Sequence, residues 1–477
     1  MEEPQLPLLS TNETLSSSLS ISRWEVVVRE IKKVSYIALP MVVTTVSQNL
    51  LAIINIMMIG HLGELALSGS AIATSLANVT GFSLMVGMSG ALETLCGQAY
   101  GAKQYHMIGT YTYAAIISLF LVCIPISILW CFTEKFLTVI GQDPLISHEA
   151  GIFIKWLIPA LFPYAILQLL VRFFLTQSLL YPMLLSSVAA LIFHIPVTWM
   201  LIFKFKFGSV GAALGYALAC WLNVLLLGIY VKYTSSCEKT RISFSKNVFP
   251  CIREFFRFGI PAAFMLCLEW WSYELAILLS GRLPNPQLET SVMSICFVVS
   301  SFHFNIPNSF AAGASTRVSN ELGAGNPEAA RLAAWVATFL AIVEVVIAST
   351  ILFSCRSILG YAFGGEKEMV DYIKQMIPLI SLSIMGDCLG ALFSGVARGV
   401  GWQHIGAYVN FGVYYLCGIP MAFVLAFVLN WRGKGLWIGL ITATFLQSCI
   451  LMLITFFTDW KKQARKATER VFEERSC

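Results

Sequence analysis

Charge is what this sequence has least of. Of its 477 residues only 12% are Asp, Glu, Lys or Arg, while 57% are hydrophobic. An average soluble domain is about 25% charged and about 45–50% apolar. So little charge cannot cover a soluble surface of this size, which excludes an ordinary cytosolic enzyme. The high apolar content equally excludes a disordered chain. The net charge of +5 is small and scattered, too little for a nucleic-acid footprint. The thirteen cysteines never stand in C-x-x-C spacing, so neither a zinc site nor a disulfide framework is indicated. Most fall in apolar runs, where a thiol behaves as a small buried hydrophobe. No G-x-x-x-x-G-K loop, H-E-x-x-H helix or G-x-S-x-G elbow is present, and with them go ATP as direct energy source, zinc-protease chemistry and serine hydrolysis. No cofactor and no metal are expected, and the driving energy is expected from an ion gradient or the substrate's own gradient.

What the chain does have is length of apolar run. A spanning helix needs about 20 mostly apolar residues. Twelve such stretches are read at 36–58, 67–95, 111–132, 151–175, 182–203, 209–231, 258–281, 290–314, 332–354, 372–395, 404–429 and 435–458. Residues 1–35, polar and Ser-rich, are expected to be a disordered cytoplasmic tail rather than a signal peptide. With both termini placed in the cytoplasm, 21 of the 31 basic residues fall on that side, the bias that positive-inside topology requires.

The chain also repeats itself at a spacing near 220. Pro40 matches Pro261, and Gly60 matches Gly281. Tyr100-Gly101-Ala102 matches Leu322-Gly323-Ala324, Ile158-Pro159 matches Ile377-Pro378, and His194-Ile195-Pro196 matches Gly418-Ile419-Pro420. The expected organisation is therefore an N-terminal lobe over 36–231, a basic cytoplasmic linker over 232–257, a C-terminal lobe over 258–458 and a cytoplasmic tail over 459–477. Each half has an even number of spans, so both enter the membrane in the same sense. Parallel repeats about an axis along the membrane normal are a transporter design, suited to one bundle rocking against the other.

A charge at the bilayer centre costs at least about 2.5–3.5 kcal/mol, so each one needs a reason. Glu269 lies eight residues after Pro261; eight after Pro40 stands Gln48. Asp387 lies nine residues after Pro378; nine after Pro159 stands Gln168. The second half thus carries a carboxylate at two mid-span positions where the first half carries a neutral amide. Each follows a proline, which removes a helix hydrogen bond and lets the helix bend. Two carboxylates sharing a dry site cannot both stay ionised cheaply, which poises one to exchange a proton or bind a cation. The bland alternative is a pair of acids neutralised by an arginine or kept protonated as interhelical donors. Tyr273, four residues after Glu269, is on the same helix face and is a candidate hydrogen-bond partner. Trp270 and Trp271 place aromatic faces beside Glu269, where cation–π attraction would hold an organic cation, though core packing is the commoner use of any one ring. Glu344 is isolated among apolar residues and is left out of the site, and Glu274 is set at the cavity edge or interface.

The segments CGQAYGA (Cys96–Ala102), EWW (Glu269–Trp271), STRVSNELGAGNPEAAR (Ser315–Arg331) and SGVARGVGWQHIGAYVNFGVYYLCGIP (Ser394–Pro420) resemble plant members of the multidrug and toxic compound extrusion family, known as MATE or DETOXIFICATION proteins. The resemblance covers about residues 30–460. It implies an all-α integral membrane fold of twelve helices in two pseudo-symmetric six-helix lobes around a V-shaped cavity. It also implies efflux of organic cations, alkaloids, flavonoids or other xenobiotics against protons. Coupling acids on helices 7 and 10 of the family would map to Glu269 and Asp387, and the bend of helix 1 to Pro40. One departure is Asn305, which stands in FHFNIP where relatives more often carry Tyr; a helix-8 hydroxyl partner for the acids is thereby lost unless the amide of Asn305 substitutes. Another is VRFFLTQ at the end of span 4, more apolar than is usual.

The expected function is a monomeric, proton-coupled exporter of amphipathic organic compounds, embedded in the plasma or vacuolar membrane and driven by the proton gradient without ATP. A related lipid or polyprenol-type flippase and a gradient-driven channel are the rival readings.

Overall fold

The structure, a computed structural model, describes residues 23–242, 244, 246, 248–363 and 367–473. Among the described residues every regular element is helical, and twelve helices are long and apolar enough to cross a membrane. They are α1 (Arg23–Gly60), α2 (Glu64–Gly101), α3 (Tyr105–Cys131), α4 (Pro144–Thr176), α5 (Tyr181–Lys204), α6 (Ser209–Tyr233), α7 (Val248–Ser280), α8 (Pro286–Gly323), α9 (Pro327–Ser354), α10 (Lys367–Val400), α11 (Gln403–Val428) and α12 (Arg432–Phe456). A helix is the form in which a single apolar segment satisfies all its own backbone groups in lipid, which is why the apolar runs fold this way.

The repeat recurs in the backbone at residue level. Positive φ occurs at Lys103 and Gly325, at Ser178 and Gly401, at Lys206 and Asn430, and at Gly208 and Arg432. Each pair keeps the offset at which the sequence echoes itself. At the first pair the helix ends in the same way in both halves. Gln104 N–H donates to Ala99 O at 2.9 Å, and Asn326 N–H donates to Glu321 O at 2.8 Å. This is the six-to-one bond of a left-handed helix cap.

Two buried apolar cores follow the division, one drawn largely from α1–α6 and the other largely from α8–α12. The halves meet along two seams that the repeat interchanges, α1 on α8 and α2 on α7. Along the first, Asn49 Nδ2 donates to Asn305 Oδ1 at 2.5 Å, and Thr45 and Ser309 hydroxyls lie 3.5 Å apart. Along the second, Trp271 Nε1 donates to Val79 O at 3.1 Å, Cys267 Sγ lies 3.5 Å from Ser83 Oγ, and Ser75 Oγ donates to Glu274 at 3.3 Å. Val79 belongs to a wide π turn, Asn78–Phe82, inside α2.

At the end of the bundle where α1 begins, α2 and α8 cross at van der Waals contact. A Cβ added to Gly101 would stand 1.9 Å from Asn320 O, and one added to Gly323 would stand 2.1 Å from Gln98 O. Gln98 and Asn320 are themselves counterparts under the repeat. The Gln98 amide donates to Gly399 O at 3.2 Å on α10, while Asn320 donates to Thr176 O at 3.2 Å on α4.

The ends differ from expectation. Helix α1 starts at Arg23 rather than near 36, because Val27, Glu30, Ile31 and Val34 recur at helical spacing along one face. Val34 is fully buried, and Glu30 accepts from Arg317 Nε at 2.6 Å. The part of the expected disordered tail that precedes Arg23 lies outside the described residues. Helix α7 starts at Val248, inside the stretch read as linker. After α12, residues Trp460–Glu473 form an amphipathic helix, α13, that buries Trp460, Ala464, Ala467 and Val471. Its Arg470 donates to Gln98 Oε1 at 2.7 Å.

Candidate functional site

Helix α7 carries Glu269 at the edge of the interlobe cleft, with its carboxylate turned into the C-terminal lobe. Glu269 is 8% exposed, and its Oε2 accepts from Gln447 Nε2 of α12 at 3.0 Å. The same amide nitrogen reaches Asn410 Oδ1 of α11 at 2.9 Å, and its oxygen accepts from Tyr414 at 3.0 Å. Asn410 is anchored in turn by donating to Met265 O at 2.6 Å, one helical turn before Glu269. Every polar atom of Gln447 is therefore engaged, which fixes the position of the acid it holds.

Asp387 on α10 is 9% exposed. Its Oδ1 accepts from the Tyr273 hydroxyl at 2.8 Å, and its Oδ2 from Ser383 Oγ at 3.2 Å. Among the described residues neither acid forms an ion pair with lysine or arginine. The Tyr273 ring is held edge-on to Trp437 at 6.1 Å between centroids and tilted against Phe297 at 5.8 Å. Tyr273 thus serves Asp387, not Glu269 on its own helix: its long side chain spans the gap to α10, a reach that same-face spacing along α7 does not reveal.

The remaining candidates fall elsewhere. Trp271 lies on the α2 seam, bonded to Val79, and Trp270 beside it is half-buried. Asn305 pairs with Asn49 and with its own helix through Ser301 O and Phe302 O, so it does not replace a helix-8 hydroxyl on the acids. Gln48 is half-buried in α1, its Nε2 lacking a hydrogen-bond partner among the described residues, and Gln168 is buried in α4. Both stay in the N-terminal lobe. Pro40, Pro261 and Pro378 lie inside α1, α7 and α10. Pro261 sits beside the closest approach of α2, where a Cβ on Gly87 would stand 2.6 Å from Ala263 Cα.

Three further residues join the site: Gln447, Asn410 and Tyr414. The sequence marked none of them, since the repeat sets Gln447 against another neutral amide. Asn223, the counterpart of Gln447 in the N-terminal lobe, makes a shorter-armed bond to Ser187 at 3.4 Å. Glu344 also gains a partner, His303 of α8, with Nε2 and Oε1 3.0 Å apart.

At the lobe junction a second polar cluster is built on Glu93 of α2, which is fully buried. Its two oxygens lie 3.1 Å from Arg172 Nε of α4 and 2.8 Å from Arg398 Nε of α10. Beside it Thr94 Oγ1 accepts from Gln403 at 2.6 Å and donates to Arg398 O. Breaking one member of such a cluster leaves a charge unpaired in the interior, the expensive outcome.

Comparison with known proteins bears on what this architecture is for. The MatE family model matches residues 40–200 and 261–424, one segment in each half. The chain is 55% identical over 443 residues to Protein DETOXIFICATION 14 of Arabidopsis thaliana, covering 93% of this chain and 91% of that protein. It is 49% identical over 468 residues to Protein DETOXIFICATION 9 of the same plant, covering 98% and 96%. The crystal structure of the eukaryotic MATE transporter AtDTX14 superposes with a TM-score of 0.91 at 55% identity, over 94% of this chain and all of that one. A duplicated twelve-helix bundle matched in both halves and along nearly its whole length belongs to the MATE family of multidrug and xenobiotic efflux transporters.

Proposed function

We propose that this transporter exchanges protons for amphipathic organic compounds, with Glu269 and Asp387 as the coupling carboxylates. The observation that carries the reading is that two buried carboxylates, without an ion pair among the described residues, are each held only by neutral donors, Glu269 by Gln447 of α12 and Asp387 by Tyr273 of α7 and Ser383 of α10. An acid placed so pays for its charge only through hydrogen bonds and sheds that cost on taking up a proton.

The coupling follows from where α7 stands. Ionised Asp387 draws charge-assisted bonds from Tyr273 and Ser383, about twice as strong as neutral ones. Protonation weakens the Tyr273 bond and so the tie between α7 and α10. The opposite face of α7 forms the seam with α2 through Cys267, Trp271 and Glu274. A proton on Asp387 or Glu269 is thereby felt at the lobe–lobe contact, and Pro261 gives α7 the freedom to respond. In this reading both termini are cytoplasmic, the protein works as a monomer in the plasma or vacuolar membrane, no ATP or cofactor takes part, and protons from the acidic far side favour outward release of substrate.

The test is export of a fluorescent organic cation in proteoliposomes under an imposed pH gradient. Gradient-dependent transport that is lost in Glu269→Gln and Asp387→Asn supports the reading; transport that ignores the gradient sinks it.

A further inference from the structure

Between the lobes, α2, α4, α7, α8 and α10 leave a narrow cleft with about 30 Å³ of free space, whose wall includes Arg172, Arg398, Ser394, Asn308 and Glu269. That volume accepts a small head group rather than a whole drug-sized molecule. Two guanidiniums, with side chains 10% and 14% exposed, share the single carboxylate of Glu93. With Glu269 protonated, one of the two positive charges has no carboxylate partner left in the cleft, an unfavourable state unless an anion approaches. The Ser394 hydroxyl in the same wall is 4% exposed and makes no hydrogen bond among the described residues. Of the buried hydroxyls without a partner among the described residues, Ser394 is the one that lines this cleft. Glu269, the other acid in this wall, is turned to Gln447.

We infer that this cleft is an anion subsite, receiving the carboxylate of a zwitterionic amphipathic substrate. The carboxylate accepts from Ser394 and from the guanidinium edge that Glu93 leaves unused on Arg398, while the substrate's cationic portion lies toward Glu269. Arginine suits this role because its donor fork stays charged and matches a carboxylate in two-point geometry. The inference rests on the efflux reading and narrows its substrate class. The competing account is that Glu269 itself turns to Arg398 when it loses its proton and closes the cleft, in which case a substrate carboxylate would gain nothing.

The probes that separate these are a fluorescent rhodamine bearing a free carboxylate and its methyl ester, which differ only in that anion. Transport is measured as counterflow exchange in proteoliposomes without a pH gradient, so loss of proton coupling and loss of the subsite read out separately. The wild type is expected to favour the acid over the ester. Ser394→Ala and Arg398→Lys are expected to lower kcat/KM for the acid relative to the ester by about tenfold, the effect of one lost charge-assisted hydrogen bond. A wild type indifferent to the carboxylate, or variants in which acid and ester fall together or not at all, would overturn the inference. Should Arg398→Lys not fold because Glu93 loses a partner, Ser394→Ala decides alone, since that hydroxyl has no bond to break among the described residues.

Discussion

The hydroxyl of Tyr273 on α7 donates to Asp387 Oδ1 on α10 at 2.8 Å. This one bond joins a helix of the lobe–lobe seam to a helix of the C-terminal interior. Its strength depends on whether Asp387 carries a charge. A double-mutant cycle of Tyr273→Phe and Asp387→Asn in detergent is therefore expected to give a coupling energy of about 1.5–3 kcal/mol at alkaline pH, falling to about 1 kcal/mol once the acid is protonated. Thermal unfolding at two pH values measures it. A coupling that does not change with pH would mean that Asp387 does not change its charge over that range.

Gln447 holds three partners at once, Glu269, Asn410 and Tyr414. Gln447→Leu leaves each without its bond in a dry interior, at about 1–3 kcal/mol per unsatisfied group. Its repeat counterpart Asn223 has the single bond to Ser187 at 3.4 Å. Asn223→Leu is therefore expected to cost clearly less stability than Gln447→Leu, and to leave gradient-driven transport closer to wild type. Melting temperature and proteoliposome flux check both halves of the comparison.

The crossing of α2 and α8 is closed by Gly101 and Gly323, each against the other helix's backbone. Backbone cannot step aside as a side chain can. Gly101→Ala and Gly323→Ala are each expected to destabilise by about 3 kcal/mol or to lock the lobes apart at this end. Gly228, with open space where a Cβ would go, is the control and is expected to tolerate Ala. Thermal stability in detergent ranks the three.

Outside the spans, Glu134 on the short helix Thr133–Val139 holds His148 at 3.0 Å and Lys155 at 3.5 Å. The His148 hydrogen bond, aided by the charges of His148 and Lys155, keeps the Glu134 carboxyl below the usual carboxylate range. A depressed value means that the stabilisation is present above the ordinary carboxylate pKa and is lost as pH falls through the folded one. Protection factors for hydrogen exchange over 133–139 are expected to hold from neutral pH down to the ordinary carboxylate pKa and to fall only below it. Protection lost already above the ordinary carboxylate pKa would contradict this assignment.

Much of the architecture was legible because lipid leaves a chain few options. Apolar runs of spanning length become helices, and the internal echo gives the two halves. The same echo singled out Glu269 and Asp387, since carboxylates opposite Gln48 and Gln168 break a pattern. Gln447, Asn410 and Tyr414 were hidden because neutral polar residues are frequent in spans and break no pattern. Tyr273 was found and misassigned, as spacing along one helix says nothing about reach to another. Helix α1 was cut short because its charged residues masked the periodic Val27, Ile31 and Val34. Glu30 belongs to that helix because Arg317, far along the chain on α8, lies 2.6 Å away in space.

The most direct test of proton coupling is substrate-driven proton movement, followed with a pH-sensitive dye sealed in proteoliposomes. The wild type is expected to move protons opposite to an imposed substrate gradient, and Glu269→Gln with Asp387→Asn to abolish that movement while the protein remains folded. Undiminished proton movement in the double variant, or substrate flux without any proton movement in the wild type, would contradict the account.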